Sequence, residues 1–479
     1  MNLEKMRKKK PMIFFVTLTM LIMLCANLQA QEGAVQPMRL NPDEAVDLAI
    51  RNNLSLESSR TSLETRRRAS QYSWNQFIPD VMLRGSLVQD NSRTYLYEES
   101  DIPSAILDSM RNQLETSRLV ISGTIQASLT ISIAMFENMR RLRLDYEGGL
   151  ITYEKARAQL ERDVRKAYHT MLPLQENIAL LRGSFANAER QVQMAQANYN
   201  AGLAPELTLL QARVARENMR PVIDQAENGL KLSMAQFAMF LGLDYNTPFE
   251  LIPITENADF IPLDVAEMIS RAANAKPDIL ELRHTILVLE SVRKVQINSL
   301  LPTLTLSWNT APLFFLNPKP GNTINYVNPQ NSIFNPTMNV SSQFSITLMI
   351  RLHSLIPFST DSQGIRNLDD QIRTANIGLA QMINGTEIEI YNTVLALERA
   401  RVSAEVQAQT VALAEQAYRL TEQAYLAGLQ DYYQVQNAEQ SLRQARVQML
   451  EQQFNYLNGL IDLEYSTGVP FGTLSTRSR

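Results

Sequence analysis

One unit is written twice along these 479 residues, and that duplication limits the fold more than any other feature. Phe77-Ile78-Pro79 introduces an alternation in which Val81, Leu83, Gly85 and Leu87 interleave with Met82, Arg84 and Ser86. About 220 residues later, Leu300-Leu301-Pro302 introduces Leu304, Leu306 and Trp308, interleaved with Thr305 and Ser307. A second echo pairs Ala188-Glu189 and Tyr199-Asn200-Ala201-Gly202-Leu203 with Ala414-Glu415 and Tyr425-Leu426-Ala427-Gly428-Leu429. The two offsets nearly agree, so a whole unit was copied: helices, a strand pair, then a very long helical hairpin.

The strand pairs carry the strongest physical constraint. From Leu119 to Ile133 the residues alternate with period two: Leu119, Ile121, Ile125, Leu129, Ile131 and Ile133 on one face, and Ser122, Thr124, Gln126, Ser128, Thr130 and Ser132 on the other. From Val340, Phe344, Ile346, Leu348, Ile350 and Leu352 oppose Ser341, Gln343, Ser345, Thr347 and Arg351. An apolar face backed by small polar residues, at this length, fits a membrane-spanning β-barrel strand. A half-buried strand of a soluble sheet is the competing reading. Four such strands cannot close a barrel, and an open sheet in lipid leaves two edges of unsatisfied N–H and C=O groups at several kcal/mol each. The chain is therefore expected to supply part of a shared barrel, and three copies would give twelve strands.

The remainder reads as helix. No Gly-Pro break interrupts Asn138 to about Tyr199, or about Gly364 to Ala427. Around 60 residues at 1.5 Å each reach roughly 90 Å. Each rod ends at an Ala-Gly-Leu turn and is followed by a returning helix, Glu206 to Leu241 or Asp431 to Leu460. Ala396, Ala400, Ala404, Ala408 and Ala412 form a stripe that admits a close neighbour. Pro173 and Pro221 predict a kink or short break in the first hairpin. Asp43 to Asn52 and Leu56 to Gln76 read as a short and a medium helix, with Asn41 or Asp43 as cap. Asp264 to Ala273 and Asp278 to Asn298 are their counterparts, split by Lys276-Pro277.

The predicted organisation is a signal peptide at 1–30, a first repeat at 31–245, a linker at 246–262, a second repeat at 263–465 and a tail at 466–479. Strands fall at about 80–90, 118–134, 302–310 and 339–353, and hairpins at about 138–242 and 362–460. The loops between strands, Asn91 to Ser117 and Ala311 to Thr337, are long, as on the external face of a barrel. Lys5, Arg7, Lys8, Lys9 and Lys10 precede an apolar run from Met12 to Leu24, with cleavage expected after Ala30. Cys25, the only cysteine, lies in that segment. A second reading makes Cys25 a lipid-attachment site, although Leu24 stands where a small residue is usual.

Composition narrows the function. At 45% hydrophobic residues, large surfaces can be buried. A formal charge of -4 offers no basic surface for nucleic acid, and Arg66-Arg67-Arg68 reads as a solvated helix face. His169, His284 and His353 are isolated, and neither a phosphate loop nor a nucleophile elbow is present, so neither an enzyme nor a cofactor is expected.

The repeated order of helices, strand pair and long hairpin behind a signal peptide resembles the TolC-like outer-membrane efflux family. The residues that carry the likeness are Tyr199 to Leu203 with Gln211-Ala212-Arg213, Tyr425 to Leu429 with Asn437-Ala438, Ala45-Val46 through Asn52-Asn53-Leu54, and Lys276-Pro277-Asp278-Ile279. The resemblance implies a mostly α, mixed α and β fold. Its duplicated unit would give four strands to a trimeric twelve-stranded outer-membrane barrel, and its long hairpins would give a periplasmic α-barrel. It implies an exit duct of a tripartite efflux or type I secretion system, seated in outer-membrane lipid. The expected partners are a periplasmic adaptor and an inner-membrane transporter of RND, ABC or MFS type. It implies that Gly202, Leu203, Gly428 and Leu429 dock the adaptor and that Tyr425 gates the periplasmic mouth. At the family's acidic constriction positions stand Gln434, Asn437 and, in the first repeat, Thr208. Cation-selecting rings are therefore not carried over, and a constriction lined by amides is expected. The alternative is a coiled-coil scaffold or adhesin at the cell envelope, which needs no strand pair with a polar inward face.

Overall fold

The computed structural model describes residues 38–89, 119–253, 263–311, 313–316, 341–352 and 356–474. The signal segment with Cys25, most of both strand-to-strand loops and His353 lie outside the described residues. In order, the elements are β1 (Met38–Leu40), α1 (Pro42–Asn52), α2 (Leu54–Gln71), a 3-10 turn (Ser73–Phe77), β2 (Asp80–Gln89), β3 (Leu119–Ile131), α3 (Ile133–Asn200) and α4 (Glu206–Phe240). The second half supplies β4 (Phe249–Leu251), α5 (Val265–Ala275), α6 (Pro277–Asn298), β5 (Thr303–Ala311), β6 (Leu313–Leu316), β7 (Ser341–Met349), α7 (Thr360–Leu426) and α8 (Tyr432–Thr467). Among the described residues, no helix is long and apolar enough to cross a membrane.

Two compact units result, and neither is a repeat. One takes its described residues from 1–57, 157–268 and 390–479, the other from 58–156 and 269–389, so each draws on both copies. The second unit holds an antiparallel sheet in the order β2-β3-β5-β7, with β6 pairing the far end of β3. The sheet thus joins the two strand pairs through β3 and β5. Its register sorts side chains into rows. Leu129, Leu306 and Ile346 lie opposite one another, as do Ile131, Leu304 and Leu348, and Ala127, Trp308 and Phe344. The alternate rows are polar: Thr130, Thr305 and Thr347; Ser128, Ser307 and Ser345; Gln126, Asn309 and Gln343. Hydroxyls pair across these rows, Thr130 with Thr305 at 3.3 Å and Ser307 with Ser345 at 2.7 Å. β2 and β7 are the outer strands, each paired on one side only among the described residues.

The first unit holds both hairpin turns, the returning helices α4 and α8, and the parts of α3 and α7 from 157 and 390 onward. α3 and α4 are tied by Arg182 to Glu227 at 2.6 Å, and by the Arg220 guanidinium lying 5.6 Å from the Phe185 ring centre. α7 and α8 are tied by Arg446 to Glu415, and Leu397 fills the space above Gly459. The hairpins meet along α3 and α8, where Lys166 pairs with Asp462 at 2.7 Å and Asn187 donates to Glu439 at 3.1 Å. Tyr168 closes the centre of this unit. Its hydroxyl donates to the Leu40 carbonyl at 2.9 Å and the Ile252 carbonyl at 2.7 Å, the ends of the parallel pair β1 and β4.

Several boundaries differ from expectation. Asn41 is the cap of α1, completing a reciprocal pair with Glu44. The helix expected from Leu56 to Gln76 ends at Gln71, and Ile133, read as a strand residue, begins α3. β4 lies in the segment read as a linker, and α8 extends to Thr467, into the expected tail. No break occurs at Pro173 or Pro221, where helix continues on both sides. Met171 and Leu172 are each 3% exposed, so packing holds the backbone helical against the roughly 3 kcal/mol cost of an interior proline. At Pro221 the flanking ties to Phe185 and Arg182 do the same.

Candidate functional site

The hairpin turns are built identically. After Asn200 the chain enters the left-handed region at Gly202, φ +72°, and after Leu426 it does so at Gly428, φ +75°. Leu203 N–H donates to the Asn198 carbonyl at 2.8 Å and Gly202 N–H to the Tyr199 carbonyl at 3.0 Å. Leu429 N–H and Gly428 N–H reach the carbonyls of Ala424 at 2.9 Å and Tyr425 at 3.0 Å. This is the Schellman stop, which satisfies the last helical carbonyls. The leucine after each glycine commonly packs back on its own helix; here Leu203 is 79% and Leu429 80% exposed. Two rigid turns therefore each hold a leucine out to solvent. The returning helices start on Pro205 and Asp431, the latter accepting from Gln434 N–H at 3.0 Å.

Just beyond the turns the hairpins lock together. Tyr432, in the first turn of α8, is buried against Ala195, Leu209 and Ala212, and Tyr425 packs on the same group. The rings of Tyr425 and Tyr432 meet edge to face, with centroids 6.2 Å apart. Burial pushes the Tyr432 hydroxyl up to about 12 and raises that of Tyr425. Deeper along α8, Glu439 faces inward. Burial lifts its carboxyl above the usual range, against donors on Asn187 and Ser184 and the charge of Arg443. Burial, with Glu439 and Glu422 nearby, takes Tyr418 to about 12.

Gln434 and Asn437 lie on the opposite, exposed face of α8, and Thr208 is half-buried in the first turn of α4. Gln434 and Asn437 thus share one solvent-facing stripe, Tyr425 is half-buried against Tyr432, and Asp431 caps α8. Sequence reasoning passed over Tyr432. Its signal was the spacing of Tyr432, Val435 and Leu442, three buried residues on one face of α8.

Among the described residues, α4 and α7 carry exposed apolar stripes. On α4, Leu207, Leu210, Val214 and Val222 are between 47% and 63% exposed. On α7, Val402, Val406, Leu413 and Leu420 are between 47% and 68% exposed, at near-heptad spacing. Reactive chemistry is scarce. His169 meets Tyr168 edge to face and Phe454 at a tilt, and His284 Nε2 lies 2.6 Å from the Leu144 carbonyl. Among the described residues no cluster of ligating side chains could hold a metal.

Comparison with known proteins agrees with this architecture. Residues 45–243 match the family model described as outer membrane efflux protein. CusC, described through its transmembrane channel formation, superposes with TM-score 0.70 at 14% identity, over 89% of this chain and 92% of that one. The CmeC outer membrane channel of Campylobacter jejuni gives 0.69 at 15% identity, over 89% and 85%. The outer membrane protein VceC of Vibrio cholerae gives 0.67 at 14%, over 89% and 96%. No curated protein matches the sequence.

Proposed function

We propose that this chain, which belongs with the TolC-like outer-membrane efflux proteins in its fold and its first repeat, is one third of an outer-membrane exit duct. The observation that carries this reading is the sheet. Its apolar rows end in exposed side chains on β7, with Phe344 at 64%, Ile346 at 62% and Leu348 at 64%, and among the described residues β2 and β7 are each paired on one side only. Lipid accepts the apolar rows but not the edges, so sister chains must pair β7 of one with β2 of the next. The stripes on α4 and α7 support the same ring, since each flanks a hairpin and would pack on its neighbour's counterpart.

In this reading the duct performs no bond chemistry. Cargo handed over by an inner-membrane transporter of RND, ABC or MFS type and a periplasmic adaptor leaves through the lumen. Leu203 and Leu429 are the knobs that the adaptor receives, held out by Gly202 and Gly428. The periplasmic constriction is a ring of neutral amides, Gln434 and Asn437, with Thr208 at its rim and Tyr425 among the residues that move on opening. Cys25, if the signal is cut before it, tethers the mature chain to lipid.

The test is the state of the protein in purified outer membranes. A trimer that resists SDS until boiled, is captured by crosslinking and conducts ions in a planar bilayer is expected. A monomer released with the periplasmic fraction would overturn the proposal and favour a scaffold.

A further inference from the structure

We propose that the helix ends next to the sheet form a collar for the phosphate headgroups of anionic phospholipids. This rests on the membrane reading above and adds a lipid class and the residues that select it. The register brings four strand ends together: Asp80 opposite Ser128, Ile131 opposite Leu304, and Thr303 opposite Met349. Each chain segment that enters or leaves the sheet at this end presents an exposed apolar side chain. These are Trp74 at 53%, Phe136 at 58%, Leu301 at 40% and Phe358 at 79%. Such groups would face bulk water at a cost, whereas the bilayer interface favours them, aromatic rings above all.

About one and a half to two helical turns farther from the strands, every one of the four helices carries a cation. Arg68 stands on α2, Arg141 on α3, Lys294 on α6 and Arg366 on α7. None has a carboxylate within ion-pair distance among the described residues: Glu64, Asp145, Asp369 and Glu137 pair with Arg67, Arg66, Arg293 and Arg140, and Glu290, one turn before Lys294, makes no ion pair with it. Anionic residues such as Asp370 share these helices without neutralising the four. The order of apolar strand face, interfacial apolar ring and unpaired cations follows the order of acyl chain, glycerol region and phosphate. Long cationic side chains reach upward to such phosphates while their stems stay on apolar surface. Each cation beside an anionic lipid surface is worth about fivefold in preference.

The chain has two tryptophans, which makes the test direct. In W308F only Trp74 reports from the collar, and in W74F only Trp308 reports from β5. Full-length protein is placed in phosphatidylcholine vesicles containing either brominated phosphatidylcholine or brominated phosphatidylglycerol, and tryptophan quenching is read. Trp74 is expected to show a several-fold preference for the brominated phosphatidylglycerol. Adding R68Q, R141Q, K294Q and R366Q to W308F should bring that ratio to about one, and 0.5 M salt should weaken it. Trp308 quenching in the W74F background should not change with the four substitutions. Should the fourfold variant fail to insert, K294Q and R366Q singly must each lower the ratio. A ratio of one in the parent, an unchanged ratio in the variants, or equal relief by millimolar inorganic phosphate would overturn the proposal. Trp308 unquenched by any brominated lipid would instead remove the membrane reading beneath it.

Discussion

Gly202, Gly242 and Gly428, three of the five left-handed glycines among the described residues, should respond very differently to substitution. At Gly202 and Gly428 a new Cβ meets nothing within 4 Å. At Gly242, φ +75°, it would stand 2.3 Å from the Asn52 carbonyl oxygen and 2.5 Å from its carbon. The space there is closed by backbone at the α1–α2 junction, which the Asn53 side chain fastens to the Phe240 carbonyl at 2.9 Å. Alanine in the left-handed region costs about 1–2 kcal/mol, which is the whole expected effect for G202A and G428A. G242A adds overpacking of about 1–3 kcal/mol, because the obstacle is backbone rather than the far end of a flexible side chain. At about 2–4 °C per kcal/mol for a domain of this size, the trimer should dissociate roughly 3–6 °C earlier in G202A or G428A and roughly 10 °C earlier in G242A. The readout is the temperature at which purified trimer in detergent loses its SDS-resistant band. Asparagine, which tolerates this backbone, should recover most of the loss at Gly202 but none at Gly242. Equal shifts at the three positions, or rescue by asparagine at Gly242, would refute the reasoning.

Replacing Leu203 and Leu429 together by serine should leave trimer melting unchanged, since both are about four-fifths exposed, while adaptor crosslinking and efflux from cells are lost. Q434E with N437D should shift the reversal potential across a salt gradient toward cations in planar bilayers, and an unchanged potential would place the constriction elsewhere. His169 is pushed down to about 4 from 6.5, first by burial and then by Arg165. Between these values the unfolded chain binds the extra proton, so stability is full above about pH 6.5 and falls toward pH 4. The total is on the order of 3 kcal/mol per chain, and H169L should flatten that part of the melting-versus-pH curve. Tyr432→Phe should be nearly silent, because its role is packing, whereas Tyr432→Ala should cost about 3–5 kcal/mol and separate the hairpin tips.

What could be read from sequence follows from which contacts set each element. The strands from Asp80 and Leu119 declared themselves through a period of two that only one buried or lipid-facing face imposes. The hairpin turns were legible because Gly202 and Gly428 sit where the backbone needs φ above zero. β1 and β4 were missed because three residues carry no period, and their pairing depends on Tyr168, which is remote in sequence. The short break allowed for at Pro173 is absent because tertiary packing on both sides outweighs a single local penalty. The direction of Glu439 was invisible because Asn187, on another hairpin, decides it. The exposed face of Gln434 and Asn437 follows from the same cause, with Tyr432 fixing the rotation of α8.

The number of chains in the ring can be argued from the sheet alone. With β6 following β5 along β3, the sheet has four strand positions per chain, which make eight in a dimer and twelve in a trimer. An eight-stranded barrel has an interior that side chains just fill. The polar rows hold Thr130, Ser128, Gln126, Ser307 and Asn309, whose hydroxyls and amides need hydrogen-bond partners wherever water is excluded. Buried together without water, their hydroxyls and amides would need more partners than the observed cross-strand pairs supply. A wider ring wets them at no such cost. In the proposed ring, three copies would pair β2 with β7 at every seam, set the apolar rows against lipid and leave water beside the polar rows.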